Sequence, residues 1–304
     1  WNVNSVRTMT TACPTWKSYA NILETLDADI YCFQETKLNR VGVTEEHALV
    51  PGYDAYFSFS KTKPGYSGVV TYIKQSSKLS VVDAEEGITG LLHLDSGAAK
   101  QPAAKKMRHI SENVGASAIY TQKEANELDC EGRCVIVDIG AFIIINVYVP
   151  NGANEERTAY KVRFLRAVRE RTAQLEKLGR RVLVIGDINV SPQQIDHFSP
   201  SDWEADHDNV PYDKEPGRVF LREWNLSKEQ LDQGSAESGH VVDLFRYFYP
   251  DRKDAFTCWS PFQRHRERNM GYRIDLALAT PNLVQMAADS DIMPKTFGSD
   301  HIPI

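Results

Sequence analysis

The amino-acid sequence predicts an α/β protein with a sheet that is at least partly antiparallel, and three observations indicate this class. Apolar segments of strand length alternate with helical periodicities along the chain. Two of these segments meet at Gly140 with the spacing of a hairpin. The longest helical pattern, Glu155 to Leu178, leads directly into another apolar strand. We find no repeat or linker in the 304 residues, so we expect one large α/β domain over 1–304.

The first part of the chain predicts a helix followed by three strands. Apolar residues recur at helical spacing at Tyr19, Ile22, Leu23 and Leu26. A short buried strand is predicted over 29–33. A strand pair is predicted over 53–59 and 66–73, because the turn-forming residues 63–65 separate the two apolar runs.

The middle of the chain predicts a hairpin and a long basic helix. The hairpin strands are 133–139 and 141–149. The helix begins with acidic residues and is expected to end at Gly179, which suits the helix dipole and the preference for glycine after a helix. Its predicted buried stripe consists of Ala159, Val162, Leu165, Val168, Leu175 and Leu178.

The last part of the chain predicts two strands and a short helix. The strands are 181–185 and 274–279, and the helix is 241–249, closed by Pro250. Two stretches, 83–126 and 191–240, carry no clear core pattern. We expect both to be insertions between strands and partly mobile.

Composition excludes several classes of protein. The 42% of hydrophobic and 25% of charged residues are ordinary for a globular protein, and no apolar run reaches the length of a membrane span. The five cysteines form no Cys-x-x-Cys pair, so we expect reduced thiols and no zinc site. The net charge of −6 does not suggest a nucleic-acid binder, but the basic residues are concentrated in the helix after Glu155.

Acids, amides and one histidine follow the predicted strands. They are Gln34-Glu35, then Asn146, Tyr148 and Asn151, then Asp187 and Asn189, and finally Asp300-His301. Any one of these groups could be a turn. Four of them in one chain indicate a shared cleft, because strand ends present side chains from a rigid sheet.

Seven short motifs stand in order along the chain. They are Trp1-Asn2-Val3-Asn4, Gln34-Glu35-Thr36-Lys37, Gly65-Tyr66-Ser67-Gly68-Val69, Asn146-Val147-Tyr148-Val149-Pro150-Asn151, Gly186-Asp187-Ile188-Asn189, Tyr272-Arg273-Ile274-Asp275 and Gly298-Ser299-Asp300-His301. Together they resemble the exonuclease III-type apurinic/apyrimidinic (AP) endonucleases. The resemblance covers the chain apart from the two insertions. Residues 195–197 and 256–260 are more similar to the second eukaryotic branch, and 131–134 is similar to fungal members.

The resemblance implies a fold, a reaction and a setting. The fold is a four-layer sandwich of two mixed β-sheets flanked by helices, and this chain would lack its first and last strand ends. The reaction is base-excision-repair cleavage 5′ to abasic sites in double-stranded DNA, together with 3′–5′ exonuclease and 3′-end cleaning. The implied cofactor is Mg²⁺, with Mn²⁺ as a substitute. The implied location is nuclear and also mitochondrial, without a membrane partner. The resemblance also implies a sliding clamp as a partner, bound by a C-terminal tail absent here.

The resemblance also implies a role for each motif residue. Glu35 is the implied main metal ligand, with Asn2, Asp300, Asp187 and Asn189 beside the ion. Asp187 would activate the attacking water, and Asn189 would hold it. His301 would face the phosphate, kept protonated by Asp275, and Tyr148 would support the leaving oxygen. Implied contacts to DNA or phosphate come from Asn151, Tyr66, Arg273, Tyr272 and Trp259.

Three positions depart from the better-known branch of these enzymes, which has Asp at Asn4, Trp at Tyr272 and Arg at Asn154. The departures weaken the expectation of strong abasic-site incision more than that of phosphodiesterase chemistry. The alternatives are a DNase I-like nuclease, a phosphoinositide phosphatase and an inactive DNA-binding scaffold. The scaffold is disfavoured because Glu35, Asp187 and His301 are all present.

Overall fold

Two β-sheets form the centre of the molecule. The computed structural model describes residues 1–12, 16, 18–91, 120–234, 238–261 and 264–304. The smaller sheet has the order β1-β3-β2, and the larger has the order β4-β5-β6-β7-β11-β8. The strands are β1 (Ile30–Gln34), β2 (Tyr53–Ser58), β3 (Val69–Lys74), β4 (Asp83–Glu86), β5 (Cys134–Asp138), β6 (Ile143–Tyr148), β7 (Val182–Asp187), β8 (Val242–Asp243), β9 (Cys258–Trp259), β10 (Gly271–Tyr272) and β11 (Asp275–Ala279), of which β9 and β10 form a separate pair.

Both sheets are mixed. In the larger sheet, β6 and β7 are parallel and the other described pairs are antiparallel. In the smaller sheet, the named strands are antiparallel and Asn2 adds a parallel bridge to Gln34. The hairpin predicted around Gly140 is confirmed as β5 and β6.

Helices cover the outer faces of both sheets. They are α1 (Val6–Ala12), α2 (Tyr19–Leu26), α3 (Glu45–Ala48), α4 (Gln122–Asp129), α5 (Glu155–Lys177), α6 (Pro200–Asp206), α7 (Pro216–Trp224), α8 (Lys228–Asp232), α9 (Leu244–Phe248) and α10 (Pro281–Val284). Among the described residues, no helix is long and apolar enough to cross a membrane.

Three apolar clusters account for the layers. One joins α2 to the smaller sheet through residues such as Ile22 and Phe33. A second joins α5 and α7 to the larger sheet, with Phe164 and Trp224 among its members. The third lies between the sheets and contains Ile73. The order helix, sheet, sheet, helix confirms the predicted four-layer sandwich.

The buried face of α5 differs from the predicted stripe. Leu178 is 48% exposed, whereas Lys161 and Arg171 are buried. Burial of these charges is possible because each has a polar partner: Arg171 Nη2 lies 2.8 Å from Glu85 Oε2, and Lys161 Nζ donates to the Asn189 carbonyl oxygen at 3.0 Å. The predicted stripe considered only apolar residues and therefore missed both charged positions.

The segment 191–240 is not the peripheral insertion that its composition suggested. It contains α6, α7 and α8, and Leu221 and Trp224 of α7 are fully buried against α5. The segment 83–126 likewise contributes β4 to the larger sheet, although residues 92–119 of it lie outside the described residues. Both segments are therefore at least partly structural.

Two further predictions needed correction at their ends. The predicted strand 66–73 begins only at Val69, because Ser67 and Gly68 have positive φ and form a turn against Thr36. The predicted helix 241–249 is shorter than expected. Val242 pairs with Ala279 in the larger sheet as part of β8, and α9 begins only at Leu244.

A polar contact ties the two sheets together near one end. Gln34 Nε2 donates to Asn146 Oδ1 at 2.8 Å, and Asn146 Nδ2 donates to the Val70 carbonyl oxygen at 2.9 Å. Both side chains are fully buried. The strands β1, β3 and β6 are thereby held in fixed register where the polar residues of the next section begin.

Candidate active site

Three adjacent strands of the larger sheet bring the central residues together. Asp187 lies opposite Tyr148 in the parallel pair β6–β7 and opposite Asp275 in the antiparallel pair β7–β11. Glu35 follows β1 of the smaller sheet at the same end. The predicted strand-end residues therefore share one cleft, as expected from the sequence.

Asn2 connects the two sheets at this cleft. Its Nδ2 donates to Glu35 Oε1 and to Asp187 Oδ2, both at 2.9 Å. Its Oδ1 accepts from the backbone N–H of Asn4 at 3.0 Å. The nitrogen, rather than the oxygen that a cation needs, thus faces both carboxylates. Asn2 thereby bridges the Glu35 and Asp187 carboxylates.

Asp187 is buried and held in a fixed orientation. The backbone N–H of Asn189 donates to Asp187 Oδ1 at 2.8 Å, and Asn189 adopts a φ of +53° to make this turn. Burial and the nearby Asp275 carboxylate raise the pKa of Asp187 to about 7, against the opposing effects of His301 and Asn2. A carboxylate with this pKa can exchange a proton at neutral pH.

His301 forms a buried ion pair with Asp275. The Nδ1–H donates to Asp275 Oδ2 at 2.8 Å. Burial lowers the pKa of His301, but the Asp275 carboxylate and Cys258 raise it more, so the pKa lies well above its usual value. The backbone bridge between Cys258 and His301 holds the histidine beside β9. His301 is therefore a cation at neutral pH.

Glu35 lies in a more polar part of the cleft. Lys37 Nζ is 3.2 Å from Glu35 Oε2, and the Tyr148 hydroxyl is also a hydrogen-bond partner. Burial raises the pKa of Glu35, but the hydrogen bond from Asn2 and the positive charge of Lys37 lower it by more. The net shift of the Glu35 pKa is therefore downward. The pKa of Tyr148 is raised by burial and by the Glu35 and Asp187 carboxylates, so its phenol keeps its proton.

The donor set fits a hard divalent cation. The ligating atoms of Asp187, Asp275 and His301 lie within 4.8 Å of one another. A protonated imidazole does not ligate, so the carboxylates are the better donors in this group. Asp275 Oδ1 is buried without a hydrogen-bond partner among the described residues. Glu35 already faces a positive charge at Lys37.

Asp300 is connected to the cleft through Asn4. Its Oδ1 accepts from Asn4 Nδ2 at 3.0 Å and from Ser299 Oγ at 3.1 Å. Asn4 Oδ1 in turn accepts from Lys37. A polar chain thus connects Asp300 with Glu35 through Asn4 and Lys37.

The prediction that Arg273 contacts DNA is wrong. Arg273 is 1% exposed, and its guanidinium donates to Asp196 Oδ1 at 2.7 Å and to Asp243 Oδ2 at 2.6 Å. Arg246 binds the same Asp196 carboxylate. The side chain therefore points into the core, because two buried carboxylates need its charge there.

The other predicted contact residues surround the cleft. Asn151 and Tyr272 line a cavity of about 790 Å³ next to Asn189. Trp259 lines a second cavity, of about 810 Å³, beside Asp300, although only 5% of its surface is exposed. The Tyr66 hydroxyl accepts from Arg133 Nη2 at 2.7 Å.

Two residues that the sequence did not single out support the site. The Arg133 guanidinium lies 4.5 Å from the centre of the Tyr148 ring and donates to the Tyr148 carbonyl oxygen at 3.0 Å, so it orients that tyrosine. Lys161 donates to the carbonyl of Asn189. The available signal for Lys161 was its spacing, three, four and seven residues before Phe164, Leu165 and Val168 on the buried face.

Similarity to known proteins agrees with this geometry. Residues 1–301 match the sequence profile described as the Endonuclease/Exonuclease/phosphatase family. The chain belongs to this family. Its members include the AP endonucleases that the sequence motifs resemble, and the matches below confirm that resemblance.

Three relatives within the family are informative. A Schizosaccharomyces pombe protein named DNA-(apurinic or apyrimidinic site) endonuclease 2 is 36% identical over 100% of this chain and 56% of its own length. A Bacillus subtilis exodeoxyribonuclease is 27% identical over 100% of this chain and 96% of its own. The crystal structure of the Xenopus laevis APE2 catalytic domain superposes with a TM-score of 0.79 at 33% identity, covering 99% of this chain and 88% of that one. The chain thus spans little more than half the length of its S. pombe relative.

Proposed function

We propose that this chain is a metal-dependent DNA phosphodiesterase that cleaves 5′ to abasic sites and removes nucleotides or blocking groups from 3′ ends. The observation that carries the proposal is the arrangement at the cleft. A proton-accepting carboxylate, Asp187, lies beside a protonated histidine, His301. The side chain of Asn2 links this carboxylate to Glu35. The names of the S. pombe and B. subtilis relatives support both reactions.

Each residue has a task in hydrolysis of the phosphodiester. Asp187 accepts a proton from the attacking water, and Asn189 orients that water. The His301 cation stabilises negative charge on the phosphate oxygens. Tyr148 keeps its proton and can donate it to a hydrogen bond with the leaving oxygen.

Glu35 and Asp300 are the residues that we propose to hold the metal ion, with Asn2, Asp187 and Asn189 beside it. The ion would replace the contact that Lys37 makes with Glu35. Mg²⁺, or Mn²⁺ in its place, suits these oxygen donors and supplies Lewis-acid stabilisation of the phosphate charge. The Glu35→Ala variant should need more metal for half-maximal activity and be slower at saturation. Unchanged metal dependence would place the ion elsewhere.

The decisive experiment is cleavage of a duplex that contains one abasic site, with and without EDTA. We expect incision in Mg²⁺ and none in EDTA. The Asp187→Asn variant should bind the same duplex but react about 10² to 10⁴ times more slowly. An inositol phosphate is the parallel substrate: if it is hydrolysed and DNA is not, the chain is a phosphatase of the same fold.

The relative rates of the two DNA reactions depend on the groove contacts. Incision inside a duplex requires a nucleotide to be extruded, whereas a 3′ end is already frayed. Asn154 replaces a groove-penetrating arginine of the better-known branch, and here its side chain caps α5 by accepting from the Arg157 N–H at 2.8 Å. We therefore propose that 3′-end removal is at least comparable to incision.

Single-turnover rates on matched duplexes at one salt concentration test this balance. An excess of incision above about a hundredfold, or roughly 2.7 kcal/mol, would contradict it. The Asn154→Arg variant should shift the ratio toward incision, and no shift would show that this position does not contact the groove.

The setting of the reaction is part of the proposal. We infer a nuclear protein, with a mitochondrial fraction, that works on damaged chromosomal DNA. A sliding clamp would bind a segment outside this chain. Fluorescence microscopy of the tagged full-length protein tests the location, and exclusion from both compartments would contradict it.

A further inference from the structure

Two buried cations lie beside the cavity that Asn151, Asn189 and Tyr272 line. Lys161 and Arg218 are each 6% exposed and both line this cavity of about 790 Å³. Among the described residues, no carboxylate oxygen lies within 4.0 Å of either charge. The same cavity is also lined by carboxylates that form no ion pair with either cation, those of Glu155, Asp206, Asp208 and Glu215. Buried cations are ordinarily paired with an anion, so Lys161 and Arg218 offer a place for an anionic ligand.

Lys161 is the cation with hydrogen-bonding capacity to spare. Its ammonium has three N–H donors, and the Asn189 carbonyl oxygen at 3.0 Å is its one hydrogen-bond partner among the described residues. Arg218 already uses its hydrogen-bond donors within the protein. Its guanidinium donates to the carbonyl oxygens of Ser191 and Tyr212 and lies 3.5 Å from the Tyr212 ring centre. A new ligand would therefore bond to Lys161, with Arg218 contributing charge.

The surroundings keep the Lys161 ammonium accessible from the cavity. A Cβ atom at Gly152 would lie 3.1 Å from Lys161 Nζ and 3.0 Å from Thr158 Oγ1, so the glycine leaves this space open. Burial lowers the pKa of Lys161, and Arg218 also lowers it, while Glu215 and Asp187 raise it. The Glu215 carboxylate accepts a hydrogen bond from the backbone N–H of Arg218 at 2.8 Å, which caps α7.

We propose that Lys161 binds a backbone phosphate of the DNA strand, adjacent to the phosphate that is cleaved. The inference rests on the proposed function and adds a binding residue to it. The position fits, because Lys161 contacts Asn189, whose own N–H bonds to Asp187 at the reacting centre. Asn151 and Tyr272 line the same cavity and would border the bound strand.

The test is DNA affinity as a function of salt, measured by fluorescence anisotropy in EDTA so that no cleavage occurs. One lost phosphate contact lowers the slope of log affinity against log salt by about 1. We expect Lys161→Met to show this change together with ~3- to 10-fold weaker binding at moderate salt. Lys161→Arg keeps the charge and should keep the slope. Arg166→Met, on the exposed face of the same helix, is the matched control and should change neither quantity.

A second measurement identifies the phosphate. Duplexes with a neutral methylphosphonate at each position flanking the cleavage site are bound to wild type and to Lys161→Met. At one position the substitution should weaken the wild type and leave the variant unaffected. An unchanged salt slope for Lys161→Met, or equal losses for both proteins at every position, overturns the proposal.

Two other outcomes separate this inference from neighbouring ones. If Lys161 only supports the Asn189 turn, Lys161→Met slows single-turnover cleavage without changing the salt slope, and the phosphate contact is refuted. If the wild type neither binds DNA in a salt-dependent manner nor cleaves it, the proposed function itself fails. Thermal unfolding of each variant confirms that the compared proteins are folded.

Discussion

The His301–Asp275 pair sets the pH range in which the site can work. Asp187 must lose its proton to act as a base, and its pKa is about 7. His301 must keep its proton, and its pKa is well above 6.5 because Asp275 bonds to it. Activity should therefore fall in the alkaline range, when His301 deprotonates. A bound divalent cation lowers the pKa of Asp187, so the acidic limb should lie below neutrality at saturating metal.

The Asp275→Asn variant should shift the alkaline limb of this profile to lower pH. Removing the carboxylate leaves burial as the dominant influence, and burial lowers the pKa of His301. The measurement is single-turnover cleavage at saturating metal across the pH range. Asp289→Asn, at an exposed position, is the control. An alkaline limb that stays in place would show that Asp275 does not set the charge of His301.

Most of the residue-scale arrangement was predictable, because the residues lie in short motifs at strand ends. Glu35, Asp187 and His301 meet as the motifs implied. Arg133 and Lys161 were not predictable as supporting residues. Their roles depend on carbonyl groups and rings distant in sequence, such as the Asn189 carbonyl, 28 residues from Lys161.

At the scale of elements, a buried ionic network fixes the start of β11. Arg273 binds both Asp196, in the turn after β7, and Asp243, at the end of β8. Arg246 of α9 binds Asp196 as well. The network thereby joins four segments of the chain directly beside Asp275, so its main effect is to hold that residue in place.

Replacing Arg273 with Met should lower the free energy of unfolding by about 3 to 5 kcal/mol, because the buried Asp243 carboxylate loses its guanidinium partner and Asp196 keeps only that of Arg246. Burial raises the pKa of Asp196, but Arg273 and Arg246 lower it more, so the net shift is downward. The stabilisation is thus present above the unfolded pKa of about 4 and is lost as pH falls through the folded pKa.

Urea unfolding at neutral and acidic pH measures this effect, and the difference between wild type and variant should shrink in acid. Arg264→Met is the control, because that side chain is 81% exposed and should change stability by no more than about 0.5 kcal/mol. Equal stability of Arg273→Met and wild type would mean that the network contributes nothing net.

The same network explains why some elements escaped sequence-based prediction. Strands such as β5 and β6 are continuous apolar runs and were recognised directly. The segment 191–240 is polar in composition, yet it supplies Asp196 to the core and α7 to the face of α5. The composition of a segment shows how polar it is but does not show which of its polar groups are paired. A segment whose acidic residues are paired in the core therefore has the composition of a surface loop.

At the scale of the whole molecule, Gly186 of β7 lies against both the neighbouring strand of its own sheet and a side chain of the smaller sheet. Its φ is +137°, and a Cβ atom there would lie 2.1 Å from the Val147 carbonyl oxygen and 3.0 Å from Gln34 Nε2. Only glycine fits at this position of β7, because any side chain would overlap the backbone of β6 and the Gln34 side chain from the smaller sheet.

Gly186→Ala should therefore destabilise the fold by at least ~3 kcal/mol, from the clash together with the strained φ. Thermal and urea unfolding measure the loss. Gly52→Ala separates the two causes, because Gly52 has a φ of +82° but no atom within 4 Å of its added Cβ. It should cost only about 1 to 2 kcal/mol. Similar losses in the two variants would argue against close sheet contact.

The hydrogen bond between Asn4 and Asp300 spans 296 residues of sequence, and Ser299 bonds to the Asn2 carbonyl across 297. Contacts of such separation tend to form late in folding, because the intervening chain must first be ordered. A polypeptide still emerging from the ribosome can hold Glu35 and Asp187 but not His301. On the proposed function, the nascent chain therefore lacks phosphodiesterase activity until nearly all of this sequence has been synthesised and folded.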